Sequence, residues 1–217
     1  MKVISIIQQK GGVGKTTLAV HLAHELKAQF PKLRISVADA DPQRSASNWI
    51  ERGHKKGIKS VSVSSVAADG EGKLLKKEID AIKCDVCIVD LPPAIASVSL
   101  RAALYSHLML VPVGASALDM EAARAALDVC EEAISMKAGK QFLIVPTRIQ
   151  SNTGAGKEIR AVLKKWGPVS KANMGMRVSY ADAATAGEGV SSFAPGSEAH
   201  AEMRSLATEA SKLLGLK

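Results

Sequence analysis

Short apolar runs recur along the chain, separated by longer stretches in which apolar residues return every three or four positions. The short runs are rich in valine and isoleucine, which favours β-strands, whereas the longer stretches have the period of α-helices. The predicted strands cover Val3–Ile7, Ile35–Ala38, Val61–Val63, Val86–Val89, Leu108–Val113 and Phe142–Val145. One helix is predicted to start at Thr16, and the others cover Ala46–Arg52, Leu74–Ile82, Leu118–Ser135, Ala155–Trp166 and Glu198–Leu214.

This alternation predicts an α/β fold in which a mostly parallel, twisted sheet is flanked by helices on both faces. The chain has 217 residues and 47% hydrophobic content, with no repeat and no linker, so we expect one domain over residues 1–217. No apolar run is long enough to cross a membrane, and Gln8 interrupts the apolar start before it could form a signal sequence. We therefore expect a cytoplasmic protein.

The segment QQKGGVGKTT, residues 8 to 17, follows the first strand and is close to the phosphate-binding pattern G-x-x-x-x-G-K-[ST]. Its glycines let the backbone approach phosphates, Lys15 supplies charge to the outer phosphates, and the Thr16 hydroxyl is suited to Mg²⁺. The residues that the pattern predicts to hold a nucleotide are Gly11, Gly12, Val13, Gly14, Lys15, Thr16 and Thr17. The segment departs from the pattern because Gln9 replaces the first glycine and Lys10 adds a second lysine.

Two further strands end in aspartates, in VADADPQRS (residues 37 to 45) and CIVDLPP (residues 87 to 93). Ligands collect at the carboxyl ends of parallel strands, so Asp39, Asp41 and Asp90 are expected around the pocket of Lys15. The predicted magnesium ligands are Thr16, Asp39 and Asp90. Because Leu91 follows Asp90 where many fast ATPases carry glutamate, Asp41 is the predicted water-orienting carboxylate, and slow turnover is expected.

These motifs resemble those of the ParA/MinD family of deviant Walker A ATPases. KGGVGKTT at 10 to 17 is similar to the family's first motif, DADPQ at 39 to 43 to its second and VDLPP at 89 to 93 to its third. The similarity continues through residues 110 to 127 and 177 to 197, and is strongest to small ParA-type proteins. The resemblance implies a P-loop NTPase fold of the SIMIBI type, with ATP and Mg²⁺ as cofactors and ATP hydrolysis as the activity.

The resemblance also explains the second lysine. The family's signature lysine, which matches Lys10, crosses a dimer interface to the phosphates of the facing subunit, so an ATP-dependent homodimer is implied. The implied catalytic residues are Lys10, Lys15 and Asp41. Arg148 in PTRIQ and Pro195 in FAPGS match regions that line the adenine pocket. Gln8-Gln9 and Leu91-Pro92-Pro93 depart from the usual motifs and bear on the hydrolysis rate.

The net charge of +8 is concentrated in one stretch, because residues 137 to 177 contain nine basic residues and one acid. Such a stretch is typical of a surface that faces a polyanion. Within GKEIRAVLKKW, residues 156 to 166, three of the cations fall three and four positions apart, as on one face of a helix. The predicted DNA-binding residues are Lys157, Arg160, Lys164, Lys165, Lys171 and Arg177.

The function implied by the resemblance combines these sites. ATP-bound dimers would bind nucleoid DNA without sequence preference, and a ParB-like or other small adaptor would stimulate hydrolysis and thereby partition a plasmid or chromosome or position another cargo. Two alternatives stay open: a MinD-like ATPase on a membrane, and a metabolic or iron–sulfur member of the same fold. The C-terminal SKLLGLK is a weak candidate for a membrane anchor, and residues 91 to 99 contain no cysteine.

The cysteines and two histidines suggest packing rather than chemistry. Cys84 and Cys87 are three apart in a predicted strand region, so we expect them on opposite faces of the sheet as small buried thiols. His21 and His24 share a helix face without an evident third ligand, which favours packing or surface histidines over a metal site.

Overall fold

The computed structural model describes residues 1–67, 72–93 and 96–217. The strands are β1 (Lys2–Ile6), β2 (Ile35–Asp39), β3 (Ser62–Ser65), β4 (Val86–Asp90), β5 (Leu108–Val113) and β6 (Gln141–Pro146). The helices are α1 (Lys15–Gln29), α2 (Ser45–Lys55), α3 (Leu75–Ala81), α4 (Ala96–Tyr105), α5 (Ala117–Met136), α6 (Gly154–Leu163), α7 (Val178–Ala186), α8 (Val190–Phe193) and α9 (Glu198–Leu214).

The six strands form one sheet in the order β3-β2-β4-β1-β5-β6, and every strand pair is parallel. The predicted fold class is therefore confirmed. The chain moves outward from β1 to β2 and β3 on one side, returns to β4, and then continues to β5 and β6 on the other side. This reversal at β1 opens a crevice at the carboxyl ends of the central strands, where ligands bind in such sheets.

Alternating side chains of β1 belong to two separate hydrophobic cores, one on each face of the sheet. Ile4 and Ile6 are fully buried and pack with α1, α2 and α9 on one face of the sheet. Val3 and Ile7 pack on the other face with α3, α4, α5 and α6. Burial on both faces explains why five of the strands are largely apolar, whereas the edge strand β3 contains three serines and is not buried.

All six predicted strands are present, whereas three helices were not predicted. The helices α4, α7 and α8 are rich in alanine, serine and valine, and only Tyr180 and Ala183 are buried in α7. A helix that buries so few large side chains leaves a weak period in the sequence. Helix α4 begins at Ala96, so part of the cysteine-free stretch at residues 91 to 99 is helical, and residues 94–95 lie outside the described residues.

The expectation that Cys84 and Cys87 face opposite sides of the sheet is wrong. Strand β4 begins only at Val86, so Cys84 lies before the strand and does not follow its alternation. Both thiols belong to the same core cluster, and the Cys84 Sγ lies 3.5 Å from the Met1 Sδ. All three cysteines are buried and unpaired, as small buried thiols were expected to be.

Candidate nucleotide site

The phosphate loop connects β1 to α1 at the centre of the sheet. Gly14 precedes α1 in the left-handed region at φ 95, a conformation that glycine adopts without steric cost, and its carbonyl accepts the first helical hydrogen bond from Leu18 N. A Cβ added at Gly11, Gly12 or Gly14 would meet no atom within 4 Å, so the space above the loop is open. The loop therefore presents free N–H groups and a helix N-terminus to that space, with Thr17 in the first turn.

Lys15 lies beneath the loop and is nearly buried, with 7% of its surface exposed. Its Nζ donates a hydrogen bond to the Lys10 carbonyl oxygen at 2.9 Å. Burial lowers the pKa of Lys15, while the charges of Asp90 and Asp41 act in the opposite direction. The sheet thus brings Lys15, Asp41 and Asp90 into one electrostatic environment, although they come from three separate segments.

Asp90 and Thr16 form the core of a cation site. The Thr16 hydroxyl donates to Asp90 Oδ2 at 2.7 Å, while no donor among the described residues satisfies the buried Asp90 Oδ1. Burial raises the pKa of Asp90 to about 7, and the hydrogen bond from Thr16 opposes that rise. A hydroxyl and an unpartnered buried carboxylate oxygen are ligands that suit Mg²⁺, so this pair fits the predicted ion.

Asp39 has a different environment from the other predicted magnesium ligands. It lies opposite Asp90 in the β2–β4 register, but its Oδ1 accepts from Asp41 N at 3.2 Å and its Oδ2 accepts from Ser47 N at 2.8 Å. Both oxygens are thus used to join the loop after β2 to the start of α2. The geometry fits Thr16 and Asp90 as ligands better than Asp39, whose role as a direct ligand stays a prediction.

Asp41 lies in the loop between β2 and α2, half-buried. Its Oδ1 accepts a hydrogen bond from Gln43 N at 2.9 Å, and its carbonyl accepts one from Arg44 N at 2.8 Å. The residues Asp41 to Arg44 therefore form a tight turn that directs the carboxylate. Its role in orienting a water molecule beside a phosphate stays a prediction.

Lys10 has a partner within its own chain. Its Nζ lies 2.5 Å from Asp119 Oδ1 in the first turn of α5, and Asp119 Oδ2 accepts from the Ser116 hydroxyl at 2.7 Å. Burial alone would raise the pKa of Asp119, but the hydrogen bonds from Lys10 and Ser116 outweigh it and lower that pKa. A Cβ at Gly114 would lie 2.3 Å from Asp119 Oδ2, so glycine is required for this approach.

Asp119 was not among the predicted site residues. Its sequence signal is the capping pattern Ser116-x-x-Asp119 at the start of α5, where the Ser116 hydroxyl accepts from Asp119 N at 3.1 Å. That pattern predicts a helix start but not a partner 109 positions away in the chain. Lys10 and Asp119 lie on the wall of a cavity of about 620 Å³ beside the phosphate loop.

Of the two predicted adenine-pocket residues, only Arg148 contacts the phosphate loop. Its Nη1 donates to the Gly12 carbonyl at 2.8 Å, next to the bond from the Thr147 hydroxyl to the Val13 carbonyl, also at 2.8 Å. The loop after β6 therefore braces the phosphate loop. Arg148 also lines the cavity that contains Lys10.

Pro195 lies between α8 and α9, and the residues Gly189 and His200 on either side of it contact the middle of α1. A Cβ at Gly189 would lie 2.2 Å from the His24 Cβ, and His200 Nε2 lies 3.3 Å from Glu25 Oε2. His24 is about 14 Å along the helix axis from Lys15 at 1.5 Å per residue. The contact of Pro195 with a base stays a prediction.

The two predicted packing histidines are in the interior of this region. His21 is fully buried and packs edge-on against Trp49; its Nδ1 accepts a hydrogen bond from Val190 N at 3.0 Å, and its Nε2 donates one to the Tyr180 carbonyl at 3.2 Å. His24 is 7% exposed. Both therefore pack against α1's neighbours rather than lie on the surface.

The six cations predicted to bind DNA fall into two groups. Arg160 donates through its guanidinium to Asn173 Oδ1 at 2.5 Å and to the Ser170 carbonyl at 2.7 Å. Arg177 donates to Glu202 Oε1 at 2.8 Å and also pairs with Glu198. The exposed cations are Lys157, Lys164, Lys165 and Lys171.

This division corrects the sequence-based interpretation of the basic helix. Arg160 was expected on an exposed face with Lys157 and Lys164, but it ties α6 to the segment that follows it. Arg177 likewise ties the start of α7 to α9. Hydrogen-bond acceptors of the chain itself already occupy these two guanidinium groups, so among the six predicted cations the four lysines are the exposed ones.

The apolar face of the C-terminal helix α9 packs against the rest of the protein and is not exposed to solvent as an amphipathic surface. The apolar face of α9, including Met203, Leu206 and Leu214, is buried in the core shared with α1. Within the described part of the chain, none of the helices combines the length and the apolar content that a bilayer crossing requires.

Comparison with known families agrees with this architecture. Residues 4–190 match the family model described as the CobQ/CobB/MinD/ParA nucleotide binding domain. The matched stretch includes the phosphate loop, the aspartates at the carboxyl ends of β2 and β4, and the basic segment.

Several curated proteins are similar to the chain over most of their length. The "maintenance of carboxysome distribution protein A" of Gloeobacter kilaueensis is 32% identical over 168 residues, covering 76% of this chain and 72% of that protein. The protein of the same name from Halothiobacillus neapolitanus is 25% identical over 97% of this chain and 94% of its own. The chromosome-partitioning ATPase Soj of Thermus thermophilus is 24% identical over 95% of this chain and 94% of its own.

Solved structures share the fold at lower identity. The structure of apo McdA from Cyanothece has a TM-score of 0.76 at 19% identity and covers 97% of this chain and 99% of that one. The septum site-determining protein MinD of Pyrococcus horikoshii, complexed with Mg-ADP, has a TM-score of 0.74 at 17% identity and covers 99% and 98%. In that neighbour, nucleotide and magnesium are bound to the same fold.

Proposed function

Because the chain belongs to the CobQ/CobB/MinD/ParA nucleotide-binding family, we propose that it is a ParA-type ATPase that positions or partitions a cargo. It binds ATP, forms a sandwich dimer in the ATP-bound state, binds DNA without sequence preference and hydrolyses ATP slowly. A small adaptor protein stimulates the hydrolysis and so couples it to the cargo. The relatives named for carboxysome distribution and chromosome partitioning support this class of function.

The observation that carries the proposal is the Thr16–Asp90 pair beside Lys15. The pair offers one hydroxyl and one unpartnered, buried carboxylate oxygen at the start of the helix that follows the phosphate loop. When bound there, Mg²⁺ would neutralise part of the charge on the phosphates. Lys15 is close to both Asp90 and Asp41 and supplies a cation to the outer phosphates.

Hydrolysis depends on Asp41 in this proposal. The turn after β2 holds its carboxylate, and Leu91 leaves no carboxylate directly after Asp90. Asp41 then orients the attacking water, as a positioned base does. A single such residue, with no arginine supplied by a partner, agrees with slow basal turnover.

Dimerisation requires Lys10 to change partners. In the single chain its ammonium is paired with Asp119, and the pair is only partly exposed. A bound ATP in a facing subunit offers phosphates, which attract this cation more strongly than one carboxylate does. Lys10 therefore senses both the binding of ATP and the presence of the second subunit.

DNA binding is assigned to four of the exposed lysines of the basic segment. Lys157, Lys164, Lys165 and Lys171 present charge without a matching acid in the segment apart from Glu158. Contacts of this kind go to phosphates, so they provide affinity without base selection. The burial of the apolar face of α9 favours this nucleoid surface over a MinD-like membrane surface.

The decisive experiment replaces the carboxylate of Asp41 and follows each step separately. Asp41→Ala is expected to bind ATP and dimerise, while its turnover falls roughly 10²-fold, because only the orientation of water is lost. Radiolabelled ATP hydrolysis, nucleotide titration and light scattering with Mg²⁺ measure the three steps. Asp182→Ala, an exposed aspartate on α7, is the matched control and should keep normal turnover. Unchanged turnover in Asp41→Ala would contradict the assignment.

A further inference from the structure

We propose that Arg44 is a positioning residue that holds the Asp41 turn in the geometry needed for hydrolysis. The inference rests on the proposed function, in which Asp41 orients the attacking water. Arg44 lies three residues after Asp41 and directly before α2. Its backbone and its side chain supply independent observations.

The backbone of Arg44 is in an unfavourable conformation. Its φ is 54 and its ψ is 36, in the left-handed region that glycine and asparagine tolerate far better than arginine. Among the residues that the structure describes, Arg148 is the only other non-glycine residue with positive φ, and it braces the phosphate loop. Strained positions of this kind occur preferentially at functional sites, where surrounding contacts maintain them.

The side chain of Arg44 connects three elements. Its Nε donates to the Ser65 hydroxyl at the end of β3 at 3.2 Å, and its Nη2 donates to Glu51 Oε1 in α2 at 3.0 Å. Ser65 in turn lies 3.1 Å from the Ser47 hydroxyl in the first turn of α2. The guanidinium therefore clamps the turn to the edge of the sheet and to the helix.

Stability does not explain this arrangement. The Arg44 and Glu51 side chains are 52% and 46% exposed, and an ion pair so open to water contributes little to folding. The left-handed backbone costs free energy that a glycine would avoid. Arg44 costs backbone free energy and gains only an exposed ion pair. Its presence is therefore better explained by a role in positioning the Asp41 turn.

The turn itself shows what is positioned. Arg44 N donates to the Asp41 carbonyl at 2.8 Å, and the Arg44 carbonyl accepts from Asn48 N at 2.8 Å. One residue thus closes the Asp41 turn and starts α2, so its φ sets the angle between them. Asp41 and Arg44 lie on the wall of a cavity of about 650 Å³, so the turn borders open space on that side.

The test uses the opposite effects that Arg44→Gly has on the fold and on hydrolysis. Glycine removes the clamp but accepts the left-handed backbone, so we expect an unfolding midpoint within about 2 °C of the unmutated protein or above it. The kcat for ATP is expected to fall on the order of tenfold, because small misplacements of a reacting group are costly, while KM changes less than about twofold. Thermal denaturation and steady-state turnover with Mg²⁺ and ATP measure both.

Two further variants separate the clamp from the backbone. Arg44→Lys keeps the charge but lacks the fork that reaches two acceptors, so part of the kcat should return. Glu51→Gln weakens the clamp from the other side, and its effect on kcat should be smaller in the Arg44→Gly background than alone. Additive effects of Glu51→Gln and Arg44→Gly on kcat would contradict the proposal that the two side chains act together as a clamp.

The failures of the two proposals are distinguishable. If Arg44→Gly hydrolyses ATP at the normal rate while Asp41→Ala does not, Arg44 has no positioning role and the proposed function stands. If Arg44→Gly loses stability together with activity, its role is structural and the inference is wrong. If Asp41→Ala retains normal turnover, both proposals fail.

Discussion

The nucleotide edge of the sheet and the basic segment at residues 137–177 differ in how well sequence position predicts geometry. At the nucleotide edge, Lys15, Asp41 and Asp90 come from separate segments, yet they share one electrostatic environment because parallel strands end at the same edge. In the basic segment, four of the nine cations are engaged by the chain's own oxygens: Lys140, Arg148, Arg160 and Arg177.

The difference arises from what each pattern encodes. A motif placed between a strand and a helix specifies both the residue and its direction, since the strand end and the helix start fix the backbone. A net charge specifies only a sum. Arg160 and Lys157 contribute equally to that sum, but Arg160 binds Asn173 and the Ser170 carbonyl while Lys157 is exposed.

The largest expected effect tests the nucleotide edge directly. Lys15→Ala should weaken ATP binding on the order of 100-fold or more, because a charge-assisted contact to the phosphates is lost from a nearly buried position. Isothermal titration with ATP and Mg²⁺ measures the affinity. Lys32→Ala removes an exposed lysine after α1 and should bind normally, so comparable affinity in the two variants would remove Lys15 from the site.

The next largest effect is expected for Lys10, a cation to which the contrast between the two regions does not apply. Lys10 belongs to the nucleotide edge, yet in the single chain it is engaged by Asp119, as Arg160 is by Asn173. Lys10→Ala should bind ATP within about twofold of normal but should not dimerise, and its stability should change by less than about 1 kcal/mol because the pair is partly exposed. Sedimentation with a non-hydrolysable ATP analogue measures the dimer. A normal dimer would show that Lys10 acts only within its own subunit.

The same difference separates the structural features that the sequence predicted from those that it did not predict. Five strands were predictable because each is largely an apolar run buried on both faces, whereas β3 is partly or fully exposed and was located only from Val61 and Val63. Helix α7 was not, because it buries only Tyr180 and Ala183. Asp119, the engaged state of Arg160 and the left-handed Arg44 depend on contacts between side chains and distant or irregular segments, for which no local period or motif exists.

The smaller effects separate the two kinds of cation in the basic segment. A fourfold variant with Lys157, Lys164, Lys165 and Lys171 changed to glutamine should lose most DNA affinity while ATP binding and dimer formation stay normal. For the unmutated dimer, log affinity should fall with log salt at about −0.9 per neutralised phosphate, and the variant should flatten that slope. The matched control removes the same charge elsewhere, at the exposed residues Lys32, Lys55, Lys59 and Lys83. Equal losses of DNA affinity in both variants would indicate that DNA is attracted by the overall positive charge of the protein rather than by a local contact surface.

The smallest effect on DNA is expected for Arg160→Ala, although it removes a charge from the same helix. The substitution leaves Asn173 Oδ1 and the Ser170 carbonyl without their donor, so stability should fall by about 1–3 kcal/mol. DNA affinity should stay within about twofold, and the salt slope should not change, because the guanidinium already binds the protein's own oxygens. Denaturant unfolding and filter binding at several salt concentrations measure both quantities. A shallower slope with unchanged stability would mean that Arg160 leaves its internal acceptors for phosphate, and the charge count would then describe the surface better than the contacts do.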